Sequence, residues 1–195
     1  MNVFVLTVGR TGSYTFYQAC KHITNYSSGH ETLIQAIGSD RFDYPTHHIE
    51  VDNRLSWTLG RLDQAYGDDA LYVHLIRDVD AVAESHFKRW NNQGAIVRAY
   101  TNGILCRPEI DLSVVRDMIH TVDSNIMLFL KDKSKKITVD IRKPLQSFQD
   151  FWSLIGAEGD LEESLKTLSQ KSNVSQDSHE ISWDKRVRRF LHKKK

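Results

Sequence analysis

The sequence predicts an α/β fold, a parallel sheet flanked by helices on both faces, and three observations predict it. Residues 3–8 form an almost wholly apolar run that stops at Gly9, as a buried parallel strand does on entering a tight loop. Helical spacing begins at once, because Phe16, Ala19, Cys20 and Ile23 stand at i, i+3, i+4 and i+7 across residues 13–24. The order of strand, turn and helix then recurs further along the chain, and such alternation covers both faces of a parallel sheet.

The elements follow in order. Residues 27–53 are rich in Ser, Gly, Asp and His, contain Pro45, and read as loop with a short strand at 48–51. A loop of that length inside a compact domain carries function. Leu55, Leu59, Leu62 and Tyr66 mark a helix that ends at Gly67, and LYVHLI at 71–76 is a second core strand with Arg77 and Asp78 at its end. Val79, Val82, Ala83, Phe87 and Trp90 keep helical spacing over 79–90, with Asp78 as the N-cap. A longer helix at 113–130 carries Val114, Val115, Met118, Ile119, Val122, Ile126 and Phe129. The polar KDKSKK loop separates it from a strand at 137–141, and a last helix at 145–155 closes at Gly156.

A chain of 195 residues suits one domain, residues 1–195, ending in a basic tail from about 185. With 26 basic and 25 acidic residues the formal charge is +1, so the overall balance calls for no nucleic acid. The longest apolar runs fall well short of the roughly 18 residues that span a bilayer, so no transmembrane segment is expected. The start, MNVFVLTVGR, has no charged segment ahead of a short apolar stretch, and Cys20 and Cys106 lie far apart with no ligand spacing. A cytoplasmic protein without bound metal is the expectation.

The chemistry concentrates in TVGRTGSYTF. Gly9 and Gly12 permit tight backbone geometry, and the loop aims backbone N–H groups and a helix N-terminus at one point, which attracts a phosphate or sulfate. A phosphoryl-transferring P-loop carries Lys and then Ser or Thr after its last glycine; here that Lys is absent. The cation is Arg10, ahead of the second glycine, with Thr11, Ser13 and Thr15 as hydroxyls around it. Gly9, Arg10, Thr11, Gly12, Ser13, Tyr14 and Thr15 are the expected phosphate loop of a P-loop-type sheet.

This layout resembles the 5′-phosphosulfate loop of the sulfotransferases. LYVHLIRDVDAVAESHFKRW is similar to the family's 3′-phosphate segment, with a strand, an Arg, and a helix carrying Ser eight residues later; Arg77 and Ser85 occupy those places. A weaker likeness lies in ITVDIRKPLQSFQDFWSLIG, with Asp140 where Glu is usual. The resemblance covers most of residues 1–156. It implies transfer of a sulfuryl group from 3′-phosphoadenosine 5′-phosphosulfate to a hydroxyl of a small molecule or glycan, with adenosine 3′,5′-bisphosphate as product. No metal is needed, because a sulfuryl group carries less charge than a phosphoryl group. The alternatives are a P-loop nucleotide-dependent kinase, with Asp78 on magnesium, and a non-catalytic binding module for a nucleotide or anionic glycan.

Charge accumulates on the departing phosphate oxygen in such a transfer, and Arg10 with the loop N–H groups and Ser13 is the expected neutraliser. The attacking hydroxyl must lose a proton. Glu31, in SGHETL, resembles the family's carboxylate after the phosphate-loop helix; it also suits the first turn of a short helix at 32–37. His48 is a second candidate base beside His30 and His47, and since neighbouring strand residues face opposite ways, only one of His47 and His48 can enter the site. Glu50, Asp52 and Asn53 are candidate acceptor contacts. Asn173 to Gln176, Trp183 and the basic tail are candidate nucleotide contacts; the tail reads by default as a solvated end, with attraction to an anionic membrane or polyanionic acceptor as its third reading. The other tryptophans, Trp57, Trp90 and Trp152, read as core anchors.

Overall fold

The computed structural model describes residues 1–170; the candidates at Asn173 to Gln176, Trp183 and the tail from Lys185 lie outside the described residues. Five strands form one parallel sheet: β1 (Val3–Leu6), β2 (Ser27–His30), β3 (His48–Val51), β4 (Leu71–Ile76) and β5 (Lys136–Asp140), in the spatial order β2-β3-β1-β4-β5. The helices are α1 (Ser13–Cys20), α2 (Leu59–Tyr66), α3 (Val79–Phe87), α4 (Ile96–Ala99), α5 (Leu112–Leu130), α6 (Pro144–Leu154) and α7 (Leu161–Ser169).

β1 is the pivot. Its side chains are fully buried because its two faces meet different helix layers. Val3 and Val5 pack with Ile49, Val51, Val73 and Val139 against Phe16 of α1, Phe148 and Phe151 of α6 and Leu168 of α7. Phe4 and Leu6 point the other way, against Leu62 of α2 and Val122 and Ile126 of α5. Phe4 also centres an aromatic group, with ring centroids 4.6 Å from Tyr66 and 5.5 Å from Tyr44. Truncating such a residue typically costs about 3–5 kcal/mol. After β1 the chain turns to one side of the sheet for β2 and β3, then crosses to the other side for β4. The carboxyl end of β1 is therefore a topological switch point, where open parallel sheets leave a crevice for ligands.

The helices begin where the chain supplies a reason. Asp78 caps α3, its Oδ1 accepting from the N–H of Ala81 at 2.9 Å, and Asp111 caps α5 through the N–H groups of Ser113 and Val114. Asp160 caps α7 in the same way, and Pro144 opens α6.

Several sequence expectations need correction. The expected loop at 27–53 contains β2 as well as β3, held by parallel pairing of Ser27 with His48 through His30 with Val51 rather than by apolar side chains. The single helix expected from Leu55 is a 3-10 turn at Asn53–Trp57 followed by α2. The helices α1 and α3 stop short of 24 and 90, and α7 was not foreseen. It is held partly by the Ser164 hydroxyl, which donates to the carbonyl of Ala19 at 3.0 Å. Trp57 and Trp90 are not core anchors: they are 37 % and 39 % exposed, one in the 3-10 turn and the other beyond the end of α3. Trp152 packs on the core. No described helix is long and apolar enough to cross a membrane.

Candidate functional site

The loop from Gly9 to Gly12 leaves the carboxyl end of β1 in a conformation that few side chains favour. Gly9 has φ 81°, Arg10 φ 59° and Gly12 φ 88°. Arg10 in this region costs about 1–2 kcal/mol relative to an ordinary backbone, the kind of strain that persists at sites of function. Gly12 precedes α1, accepts from the N–H of Phe16 at 3.0 Å, and lies against Ile141. The first N–H groups of a helix have no acceptor within it. Ser13, Tyr14 and Thr15 open α1, so their N–H groups project from its N-terminus, where the helix dipole favours an anion.

The loop is braced from beneath. The buried Thr11 hydroxyl meets that of Thr7 at 2.5 Å, and Thr7 Oγ1 also accepts from the N–H of Gly9. Thr11 thus contributes backbone, not hydroxyl, to the loop surface. Tyr14 is 58 % exposed, with its ring edge-on to His30 at 5.5 Å. On the other side His86 of α3 lies 3.1 Å from the carbonyl of Val8. Burial, and to a lesser degree the nearby Arg10, push this imidazole down to about 4, against hydrogen bonds to the Val8 and Gly9 carbonyls that pull it upward. The ring is therefore neutral at physiological pH, and its Nε2–H donates to the loop.

Cations converge here. Arg10 Nε donates to Ser85 Oγ at 3.1 Å, and Arg77 Nη1 donates to the carbonyl of Arg10 at 3.2 Å. The loop after β1, the end of β4 and the helix α3 are thereby joined, which brings together the two segments singled out in the sequence. Burial, then Arg89, then Arg77 push the Arg10 guanidinium below its ordinary value. Among the described residues none of these arginines forms an ion pair with an acidic side chain. An uncompensated cluster of this kind favours a polyanion. Asp78 directs its carboxylate to its own helix cap.

Glu31 follows the end of β2 with φ 54°, and its N–H donates to the carbonyl of Val51. No helix forms at 32–37; the chain turns there, so the first-turn reading of Glu31 falls away. Arg54 Nη1 lies 2.7 Å from Glu31 Oε1, and Asn53 Nδ2 lies 3.4 Å from the same oxygen. Glu31 Oε2 makes no hydrogen bond among the described residues. Asn53 also abuts the loop, since a Cβ added to Gly9 would sit 3.2 Å from Asn53 Nδ2. Gly9, Asn53 and Glu31 are consecutive neighbours across the crevice.

His48 is placed elsewhere. It starts β3, and its backbone N–H donates to Asn2 Oδ1, at the opposite end of the sheet from the loop. Its ring lies between Ser27 Oγ at 2.8 Å and Glu50 Oε2 at 3.0 Å, and the second oxygen of Glu50 accepts from the N–H of Thr32. Glu50 and Asp52 are fully buried and engaged, Asp52 by Arg41 at 2.7 Å, so neither is an acceptor contact. Burial pushes the Asp52 carboxyl upward, and the hydrogen bonds from Arg41 and from the N–H of Arg54 offset it.

The structure resembles two solved ones. A mouse sulfotransferase, SULT7A1, solved in complex with PAP, superposes with a TM-score of 0.56 at 9 % identity, covering 88 % of this chain and 63 % of that one. A sulfotransferase domain from the curacin biosynthetic pathway superposes with a TM-score of 0.57 at 14 % identity, covering 91 % of this chain and 80 % of that one. The fold is that of the sulfotransferases. This chain therefore spans under two thirds of the mouse sulfotransferase's length. No protein-family model matches its sequence, and no curated protein does. The sulfotransferase likeness is thus carried by the course of the backbone, and at such low identity the roles of individual residues rest on the geometry above. Arg54, His86 and Arg89 escaped the sequence reading. Only Arg89 left a signal there, four residues after Ser85 and so on the same helical face.

Proposed function

We propose that this chain is a sulfotransferase that moves a sulfuryl group from 3′-phosphoadenosine 5′-phosphosulfate to a hydroxyl of a small molecule or glycan. The observation that carries the proposal is the junction of Arg10, Ser85 and Arg77, which unites a phosphate loop with a second anion-binding segment and leaves their positive charge uncompensated. A donor with phosphates at both the 5′ and 3′ positions fits a site with two such segments. The SULT7A1 structure was solved with PAP, which adds support by fold likeness.

In this reading the donor supplies an activated sulfuryl group. Gly9, Arg10, Thr11, Gly12, Ser13, Tyr14 and Thr15 form the 5′ side of its site, and Arg77 and Ser85 the 3′ side. Arg10 and the N–H groups at the start of α1 neutralise the oxygen that gains charge as the sulfuryl group leaves, which fixed donors do without reorganising. Glu31 takes the proton of the attacking hydroxyl on Oε2, while Arg54 and Asn53 hold Oε1 and fix the direction of the carboxylate. His48 has no part in the reaction, since it stands at the far end of the sheet. The acceptor approaches over Glu31 and Asn53.

The test is a screen of phenolic, alcoholic and sugar acceptors with sulfur-labelled donor, comparing the unaltered chain with Arg10→Ala. Label transfer that requires Arg10 supports the proposal; donor binding with no transfer to any hydroxyl class contradicts it.

A further inference from the structure

Where β2 and β3 begin, three side chains stand in one line. Ser27 Oγ lies 2.8 Å from His48 Nδ1, and His48 Nε2 lies 3.0 Å from Glu50 Oε2. Parallel pairing sets Ser27 beside His48, and the two-residue period of β3 puts His48 and Glu50 on one face. A carboxylate only accepts, and the other Glu50 oxygen accepts from the N–H of Thr32 at 2.8 Å. The His48 nitrogen facing Glu50 therefore carries the hydrogen, which leaves the Nδ1 lone pair toward the Ser27 hydroxyl. The His47 carbonyl, 3.5 Å from that hydroxyl, is too distant to compete. The Tyr44 ring stacks on the imidazole, with centroids 5.5 Å and planes 13° apart. His48 is 5 % exposed and Glu50 0 %, while Ser27 is exposed. Burying an imidazole and a carboxylate carries a desolvation cost that two apolar side chains would not. The order is the one that activates a hydroxyl: a nucleophile open to solvent, a base held out of water, and an acid that orients the base.

We propose that Ser27, His48 and Glu50 form a second reactive site, apart from the phosphate loop, at which Ser27 takes an acyl group from an activated ester and passes it to water. Ser27 Oγ attacks the ester carbonyl carbon, and its proton goes to His48 Nδ1. The bond from that carbon to the leaving oxygen breaks, and the departing oxygen takes the proton from Nδ1. Water then gives a proton to Nδ1 and attacks the acyl carbon; the acid leaves, and Nδ1 returns the proton to Ser27. Glu50 touches no substrate and is a positioning residue, fixing the tautomer and steadying the imidazolium. The N–H groups of Ser27 and Glu31 donate to the carbonyls of His47 and Val51, so on this edge strand the N–H of Ser28 points to the free edge. The ester oxygen that gains charge is received on that side.

The test is labelling of the full chain with a fluorophosphonate, which phosphonylates activated serines with loss of fluoride, followed by peptide mapping. Label on Ser27 is expected, at a rate about a hundredfold or more above that of His48→Asn. Ser27→Ala is expected to abolish it. The unaltered chain unfolded in urea is expected to take no label at Ser27, a control that does not depend on any variant folding. Glu50→Gln is expected to slow labelling by about tenfold or more, and to move the His48 ring hydrogen from Nε2 to Nδ1. Nitrogen NMR of the imidazole reads that tautomer, which a merely structural Glu50 would not govern. Release of nitrophenol from p-nitrophenyl acetate is expected from the unaltered chain and is expected to be lost in Ser27→Ala. No label on the native chain, label only at other residues, equal labelling of a folded His48→Asn, or undiminished nitrophenol release by Ser27→Ala would each overturn the proposal.

Discussion

Arg10 Nε lies 3.1 Å from Ser85 Oγ, joining the loop after the first strand to the helix after the fourth across 75 residues of sequence. The contact occupies a hydrogen-bonding site on each partner, yet it leaves the Arg10 charge unneutralised. Ser85 holds the guanidinium in place without competing with an anion for its charge. The loop cation is therefore positioned before any ligand arrives, which lowers the ordering cost of binding.

Arg77 braces the loop through the carbonyl of Arg10 and is otherwise exposed. Arg77→Ala is expected to weaken binding of adenosine 3′,5′-bisphosphate by about 1.5–3 kcal/mol, the range for a charge-assisted hydrogen bond. Calorimetry with the bisphosphate and with adenosine 5′-phosphate checks it. Equal loss for both ligands would make Arg77 a brace of the loop alone.

Glu31→Gln retains shape and removes the carboxylate. Turnover is expected to fall by about 10²–10⁴-fold with nucleotide affinity nearly unchanged. Arg54→Ala frees Oε1 and is expected to lower turnover less than Glu31→Gln does. Steady-state rates with an acceptor found by the screen measure both, and a Glu31→Gln variant of near-normal rate would end the base assignment.

His86 links the loop to pH. Its folded value of about 4 lies below the ordinary 6.5, so between those values the unfolded chain binds the extra proton. Its contribution is thus fully present above about pH 6.5 and is lost as the pH falls toward 4, amounting to roughly 3 kcal/mol. Melting curves from pH 7.5 to 4 should show this loss, and His86→Asn should flatten it. A decline of the same size in the variant would place the effect in other groups.

Gly29 in β2 is tightly enclosed: an added Cβ would collide first with Thr32 Oγ1, and would lie 2.6 Å from Glu50 Oε2 and 3.0 Å from His48 Nε2. Gly29→Ala is expected to destabilise by about 1–3 kcal/mol, the usual cost of overpacking. Urea denaturation measures it, and a change below about 0.5 kcal/mol would show that the Thr32, Glu50 and His48 side chains shift without cost.

Much of the fold was legible because its apolar strands are short and continuous. Leu71–Ile76 announces a buried strand, and the stripe from Val114 to Ile126 announces α5. β2 was hidden, since SSGH has neither apolar run nor alternation and is a strand only because β3 offers it a ladder. The candidate site was legible in part, because the glycines, Arg10, Arg77 and Ser85 that the structure brings together fall within local motifs. The setting of Glu31 was not, since its ion pair with Arg54 joins the residue after β2 to the 3-10 segment beyond β3, a contact that only the folded chain makes. His48 misled for the opposite reason: next to His47 it looked chemically available, whereas tertiary packing seals it between Ser27 and Glu50.

The central claim is that the joined cationic segments bind a nucleotide phosphorylated at both the 5′ and 3′ positions. Titration calorimetry of the full chain with adenosine 3′,5′-bisphosphate, in the presence of a metal chelator, tests it most directly. The account predicts saturable binding at one site, about tenfold or more tighter than that of adenosine 5′-phosphate. Absence of binding, or equal affinity for the two nucleotides, would contradict it.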